Sequence, residues 1–153
     1  MRRVPNFSQL RTEATSISRL TFLSDLRRVC LSANSSSNEF ISRKSFGFGC
    51  EVTPAGLPVE KIHIQFQAGN PNSPVVTTKN VNDSPHRYPD GSLCMWYPKD
   101  PPHLRWQWRD GAETLIALIC AHLIKESWWN QTGEWVGLEA PHSPPSARNV
   151  LRE

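Results

Sequence analysis

Hydrophobic and polar positions along the chain divide it into five stretches. From 7 to 30 the spacing is helical, with Phe7, Leu10, Ala14 and Ile17 on one face. The stripe drifts beyond Leu20, which predicts a break or bend there. The polar run Asn34-Ser35-Ser36-Ser37-Asn38 reads as a linker. Next the period changes to two. Phe46, Phe48 and Cys50 alternate with small or polar residues, and Ile62, Ile64 and Phe66 alternate with polar ones across 61–67. Thr53-Pro54-Ala55-Gly56 is a turn between these two strands. Residues 68–74 read as a loop and Val75-Val76-Thr77-Thr78 as a third strand, which makes an antiparallel meander with one wet face.

Beyond the meander, Pro98, Pro101 and Pro102 keep the chain extended. Asp110 then reads as an N-cap, with Glu113 as its capping-box partner. A helix follows from about Gly111 to Trp129. Its apolar stripe is Ile116, Ile119, Cys120, Leu123 and Ile124, and this stripe is expected to cover the dry face of the sheet. His122 and Glu126, four apart, read as a solvated pair on its side. Gly133 ends the helix, and an ordered tail runs through Trp135 to His142. The order is α+β: N-terminal helix, antiparallel β-meander, cysteine-bearing flap, long C-terminal helix. We expect a single domain over 1–153, with flexible ends at about 1–6 and 143–153.

Composition narrows the classes. The chain has 153 residues, enough to bury a core without disulfides or metal. A formal net charge of +3 does not demand nucleic acid or an anionic membrane as partner, and neither is expected. No apolar stretch is long enough to span a bilayer. Arg2 and Arg3 are not followed by the apolar core of a secretory signal, and Glu13 and Asp25 argue against a mitochondrial transit peptide. The cysteines, Cys30, Cys50, Cys94 and Cys120, are scattered and form no C-x-x-C pair. They read as free thiols of a cytoplasmic protein. The six tryptophans, Trp96 to Trp135, read as a packing layer rather than a base-stacking platform, because their region is not markedly basic.

Cys94 has an unusual setting. His86-Arg87-Tyr88-Pro89-Asp90-Gly91-Ser92-Leu93-Cys94 combines a histidine, a Pro-Asp-Gly turn and a short link to a thiol. The turn would fold the segment back and bring His86 towards Cys94. Arg87 and Lys99 add local positive charge, and Asp90 opposes it. A thiol reacts as thiolate, and its ordinary pKa is about 8.5, so a neighbouring cation or histidine matters. Acyl transfer through a thioester, hydrolysis by a Cys-His pair and metal binding all fit such a residue, as does an unreactive thiol in a binding module. Cys50, His63, His86, Cys94 and His103 have no recognised zinc spacing, so no metal is expected, and no other cofactor.

In these residues the chain resembles the ubiquitin-conjugating enzyme family. That family has the same order of elements, and its flap carries a His-Pro-Asn motif followed by a turn and a Gly-x-Ile-Cys-Leu type sequence. Gly91-Ser92-Leu93-Cys94-Met95 matches the second part, and His86 corresponds to the start of the first. The run from Tyr88 to Cys94 and the tail from Trp135 to His142 are similar to compact bacterial members from antiphage operons of cyclic-oligonucleotide-based signalling (CBASS). The resemblance implies that Cys94 carries a protein C-terminus as a thioester and passes it to an amine. It also implies a cGAS-like cyclic nucleotide synthase as the protein carried, a lysine of a target protein as acceptor, and regulation of antiphage defence. No nucleotide-binding loop is present, so a separate activating enzyme or a pre-activated donor is implied. The chain departs from the family at His86-Arg87-Tyr88, which lacks the motif's asparagine. Oxyanion stabilisation then falls to His86, Tyr88, a backbone amide near Cys94, or His142. His86 is the candidate for orientation or proton handling. A non-catalytic interaction module on the same fold and a cysteine hydrolase are the alternatives.

Overall fold

The computed structural model describes residues 19–35, 45–67 and 69–137. The helical face Phe7 to Ile17, linker residues 36–38, both ends expected to be flexible, and His142 lie outside the described residues.

Residues 19–29 form a helix (α1) that runs on past Leu20 without a break. The expected break at the drifting stripe is therefore corrected. Leu20 is simply on the solvent side, 73% exposed, while Phe22 and Leu26, four apart, carry the buried face.

Four antiparallel strands follow in meander order: β1 (Ser32–Ser35), β2 (Ser45–Val52), β3 (Glu60–Gln67) and β4 (Asn70–Thr78). The register pairs Phe48 with Ile64 and Cys50 with Ile62, so one side of the pleat is apolar. A turn with Leu57 N–H donating to Pro54 O at 3.0 Å joins β2 to β3.

Two strand readings need correction. β1 occupies part of the expected linker. It is a four-residue edge strand whose Ala33 pairs with Cys50 and is buried, a signal too short for periodicity to register. β4 starts at Asn70 and takes in most of the expected loop. Pro71 and Pro74 lack a donor, but β4 is the other edge of the sheet, where proline is tolerated.

The helix α2 (Gly111–Thr132) covers the apolar face through Leu115, Ile116, Ile119 and Leu123, together with Phe22 and Leu26 of α1. Ile124, expected in the stripe, is 38% exposed. One end of the core is aromatic: Phe22 stacks on Trp108 at 4.7 Å between centroids, Phe46 stacks on Phe66 at 5.0 Å, and Trp106 is buried beside them.

Asp110 does not cap α2 with its side chain. Its carboxylate accepts from Gln107 N–H at 2.8 Å and closes a capping box around the 3-10 turn Trp108–Asp110, one turn early. Glu113 instead accepts from Arg28 at 3.3 Å, an exposed link between the helices. Gly133 ends α2 as expected, at φ 76°, with its N–H on Trp129 O at 2.7 Å. Among the described residues no helix is long and apolar enough to cross a membrane.

Candidate functional site

β4 leads through Lys79 to Ser84 into a tight hairpin that ends at Cys94. Arg87 and Leu93 face each other across it. Tyr88 N–H donates to Ser92 O at 2.9 Å and Cys94 N–H to His86 O at 2.8 Å. At the tip, Gly91 N–H donates to Tyr88 O at 2.9 Å, and Gly91 holds φ 87°. Pro89 suits this geometry because its ring presets φ for the second turn position, and glycine suits the left-handed position. The Asp90 carboxylate accepts from Ser92 N–H at 2.9 Å and Ser92 Oγ at 2.6 Å, which holds its pKa below the usual carboxylate range. Asp90 thus braces the turn.

Alternation divides the hairpin into two faces. His86, Tyr88 and Cys94 share one. The Cys94 thiol is half-buried, with Sγ 3.9 Å from Trp96 O. The phenol of Tyr88 donates to Cys94. Burial, that hydrogen bond and the nearby Cys94 and Asp90 charges all raise the Tyr88 pKa, so the hydroxyl keeps its proton at neutral pH. The structure therefore brings His86 and Cys94 opposite each other through the backbone. His86 is only 4% exposed, and its imidazole lies against Trp135, 3.8 Å between centroids.

Arg87 points to the other face. Its Nε and Nη2 donate to Glu126 Oε1 and Oε2 at 2.7 and 2.9 Å. Its Nη1 donates to Thr78 Oγ1 at 2.7 Å and Gly91 O at 3.0 Å. The reading of Arg87 as a cation beside the thiol is therefore corrected: its charge is spent on the carboxylate of α2. The solvated His122–Glu126 pair is corrected as well. Both residues are buried, 5% and 2% exposed, and Glu126 binds Arg87. His122 packs near Trp135 at 5.4 Å, and its Nε2 has no hydrogen-bond partner. Burial holds its pKa down at about 4, although the charge of Glu126 pulls the other way. Sequence reasoning missed the Arg87–Glu126 bond because the residues are 39 apart and nothing local couples them.

The remaining thiols cluster elsewhere. Cys50 donates to Cys30, which lowers the Cys30 pKa and, with burial, raises that of Cys50. All four cysteines are free. Among the described residues no three His, Cys, Asp or Glu side chains converge to hold a metal.

No curated protein sequence matches the chain. The solved structure of human ubiquitin-conjugating enzyme E2 G1 is similar over 74% of this chain and 96% of that one, at TM-score 0.52 and 18% identity, which establishes the ubiquitin-conjugating fold. The family model described as type II CBASS E2 protein matches residues 26–143, a span that takes in the sheet, the Cys94 hairpin and α2. On that match, the chain belongs to the type II CBASS E2 protein family.

Proposed function

We propose that Cys94 accepts the C-terminus of a cGAS-like cyclic nucleotide synthase as a thioester and transfers it to a lysine amine, which regulates antiphage signalling. The observation that carries this reading is a half-buried thiol held on a braced hairpin and contacted by a protonated phenol, in a CBASS E2 protein with the ubiquitin-conjugating fold.

The chemistry is a double exchange. The Cys94 thiolate attacks the carbonyl carbon of a donor already activated by a partner enzyme, and the donor's leaving group departs. The target amine then attacks the Cys94 thioester. The C–S bond breaks, the amine loses a proton, and Cys94 leaves as thiolate. A thioester is reactive enough towards amines that positioning and oxyanion stabilisation supply most of the acceleration. The Tyr88 hydroxyl can donate to developing negative charge on sulfur or on the carbonyl oxygen. His86 orients the hairpin from its contact with Trp135 and is the candidate for taking the amine's proton.

Co-expression with a cGAS-like cyclic nucleotide synthase, followed by non-reducing gels, tests this. The wild type should give a thiol-sensitive adduct. Cys94→Ala should lose it, and Cys94→Ser should trap it as an ester. With both proteins folded and the activating enzyme supplied, absence of any adduct would favour a non-catalytic binding module.

A further inference from the structure

One side chain ties the cysteine hairpin to the rest of the fold. Arg87 uses Nε, Nη1 and Nη2 to join three places at once: the carboxylate of Glu126 on α2, the hydroxyl of Thr78 at the end of β4, and the carbonyl of Gly91 in the turn itself. Both members of the ion pair are nearly inaccessible, with side-chain exposures of 4% and 3%. Beside the pair lies an open cavity of about 250 Å³, lined in part by Leu57, Asn82, Arg87, Glu126 and Asn130. Side-chain packing therefore does not fill that flank, and the hairpin's angle there depends on directional bonds. On its other side the hairpin is held by the backbone bond from Leu93 N–H to Val76 O at 2.9 Å, by buried Leu93, and by His86 against Trp135.

Burying two charges costs heavily in desolvation, and an apolar pair of similar volume often serves stability as well or better. A planar guanidinium fork fixes orientation as an apolar contact does not. We propose that Arg87 and Glu126 are positioning residues for Cys94: their fork locks the hairpin to α2 and so sets where the thiol meets the incoming carbonyl. This deepens the conjugation reading and rests on it for its functional half.

The double variant Arg87→Met/Glu126→Met removes the fork while keeping apolar bulk. Hydrogen exchange should show the amides of Tyr88, Gly91 and Cys94 opening about tenfold or more faster, with β2–β3 amides unchanged. Thioester formation with the synthase should slow by about tenfold or more, since small displacements of a reacting group are costly. Glu126→Gln, which is nearly isosteric, carries the same test if the double variant does not fold. A folded variant whose hairpin exchange matches wild type overturns the proposal. So does a uniform rise in exchange over the whole sheet, which would make the pair a stabiliser only. Failure of the conjugation reading looks different: the wild type itself forms no thioester, while the exchange result still reports on the lock.

Discussion

The imidazole of His86 and the indole of Trp135 lie 3.8 Å apart, centroid to centroid, tilted by 31°. His86 belongs to the cysteine hairpin and Trp135 to the segment beyond α2, so this contact holds the two together. The same indole meets His122 of α2 at 5.4 Å. Aromatic contacts of this kind add about 0.5–1.5 kcal/mol beyond the area they bury. Because Trp135 is only half-buried, Trp135→Ala should cost about 2 kcal/mol, below the range for a fully buried aromatic. Urea unfolding measures this, and Trp135→Phe should recover part of the loss. A cost within about 0.5 kcal/mol, as for an ordinary surface change, would show that the contact contributes little.

His122 makes stability depend on pH with a definite sign. Its folded pKa is about 4, while an unfolded histidine titrates near 6.5. The unfolded chain therefore binds more protons between those values, and stability rises with pH across them. The contribution is complete above about pH 6.5, is lost as pH falls towards 4, and amounts to about 3 kcal/mol. The groups facing this imidazole include Glu126, His86, Arg87 and Lys125, and the carboxylates of the fold titrate in acid too. The measurement is consequently a difference: unfolding free energies of wild type and His122→Gln at pH 7, 5 and 4. Wild type should lose more on acidification, and parallel curves would contradict the burial effect.

Local patterns were enough to read β3, the Pro54 turn, the Gly133 cap and the fold-back at Pro89-Asp90-Gly91, because each rests on spacing or backbone preference within a few residues. What escaped was tertiary. Ala33 is the one residue among the few described in β1 that is buried, too short a signal for a period. Pro71 and Pro74 argued for a loop, and only the position of β4 at the sheet edge makes them acceptable. His122 and Glu126 look like an exposed helical pair until the hairpin packs over them and Arg87 claims the carboxylate. The candidate site divides the same way: Cys94 and His86 are proposed from local sequence, whereas the Arg87–Glu126 fork spans elements.

Gly91 is the point where the hairpin's geometry depends on one residue type. Its φ of 87° is unfavourable for a residue with a Cβ. Space is less of an obstacle, since an added Cβ would meet Val81 Cγ1 at 3.4 Å. Gly91→Ala should therefore cost about 1–2 kcal/mol through the backbone. Gly91→Asn should cost less, because asparagine tolerates the left-handed region. Thermal unfolding gives the stabilities. Equal costs for the two variants would mean that crowding, not φ, limits the position.

Thiol reactivity should separate the four cysteines by environment. The thiolate is the nucleophile, so exposure and pKa act together. Cys50 is buried, and it keeps its proton by donating to Cys30. Cys30 is half-buried, and that accepted bond lowers its pKa. Cys120 is also half-buried, but burial raises its pKa, with the Cys30 charge adding to the effect. With iodoacetamide at pH 7, Cys30 should label faster than Cys120, and Cys50 only as the protein unfolds. If Cys94 is the working thiol, its labelling leads all three, and Cys94→Ala removes the fastest phase while leaving the others in order. Peptide mass spectrometry over time resolves each site. Cys120 labelling ahead of Cys30 would overturn the shared hydrogen bond as the source of the ordering. Replacing Cys50 by alanine gives an independent check: it removes the donor, so the Cys30 rate should fall even though its exposure rises.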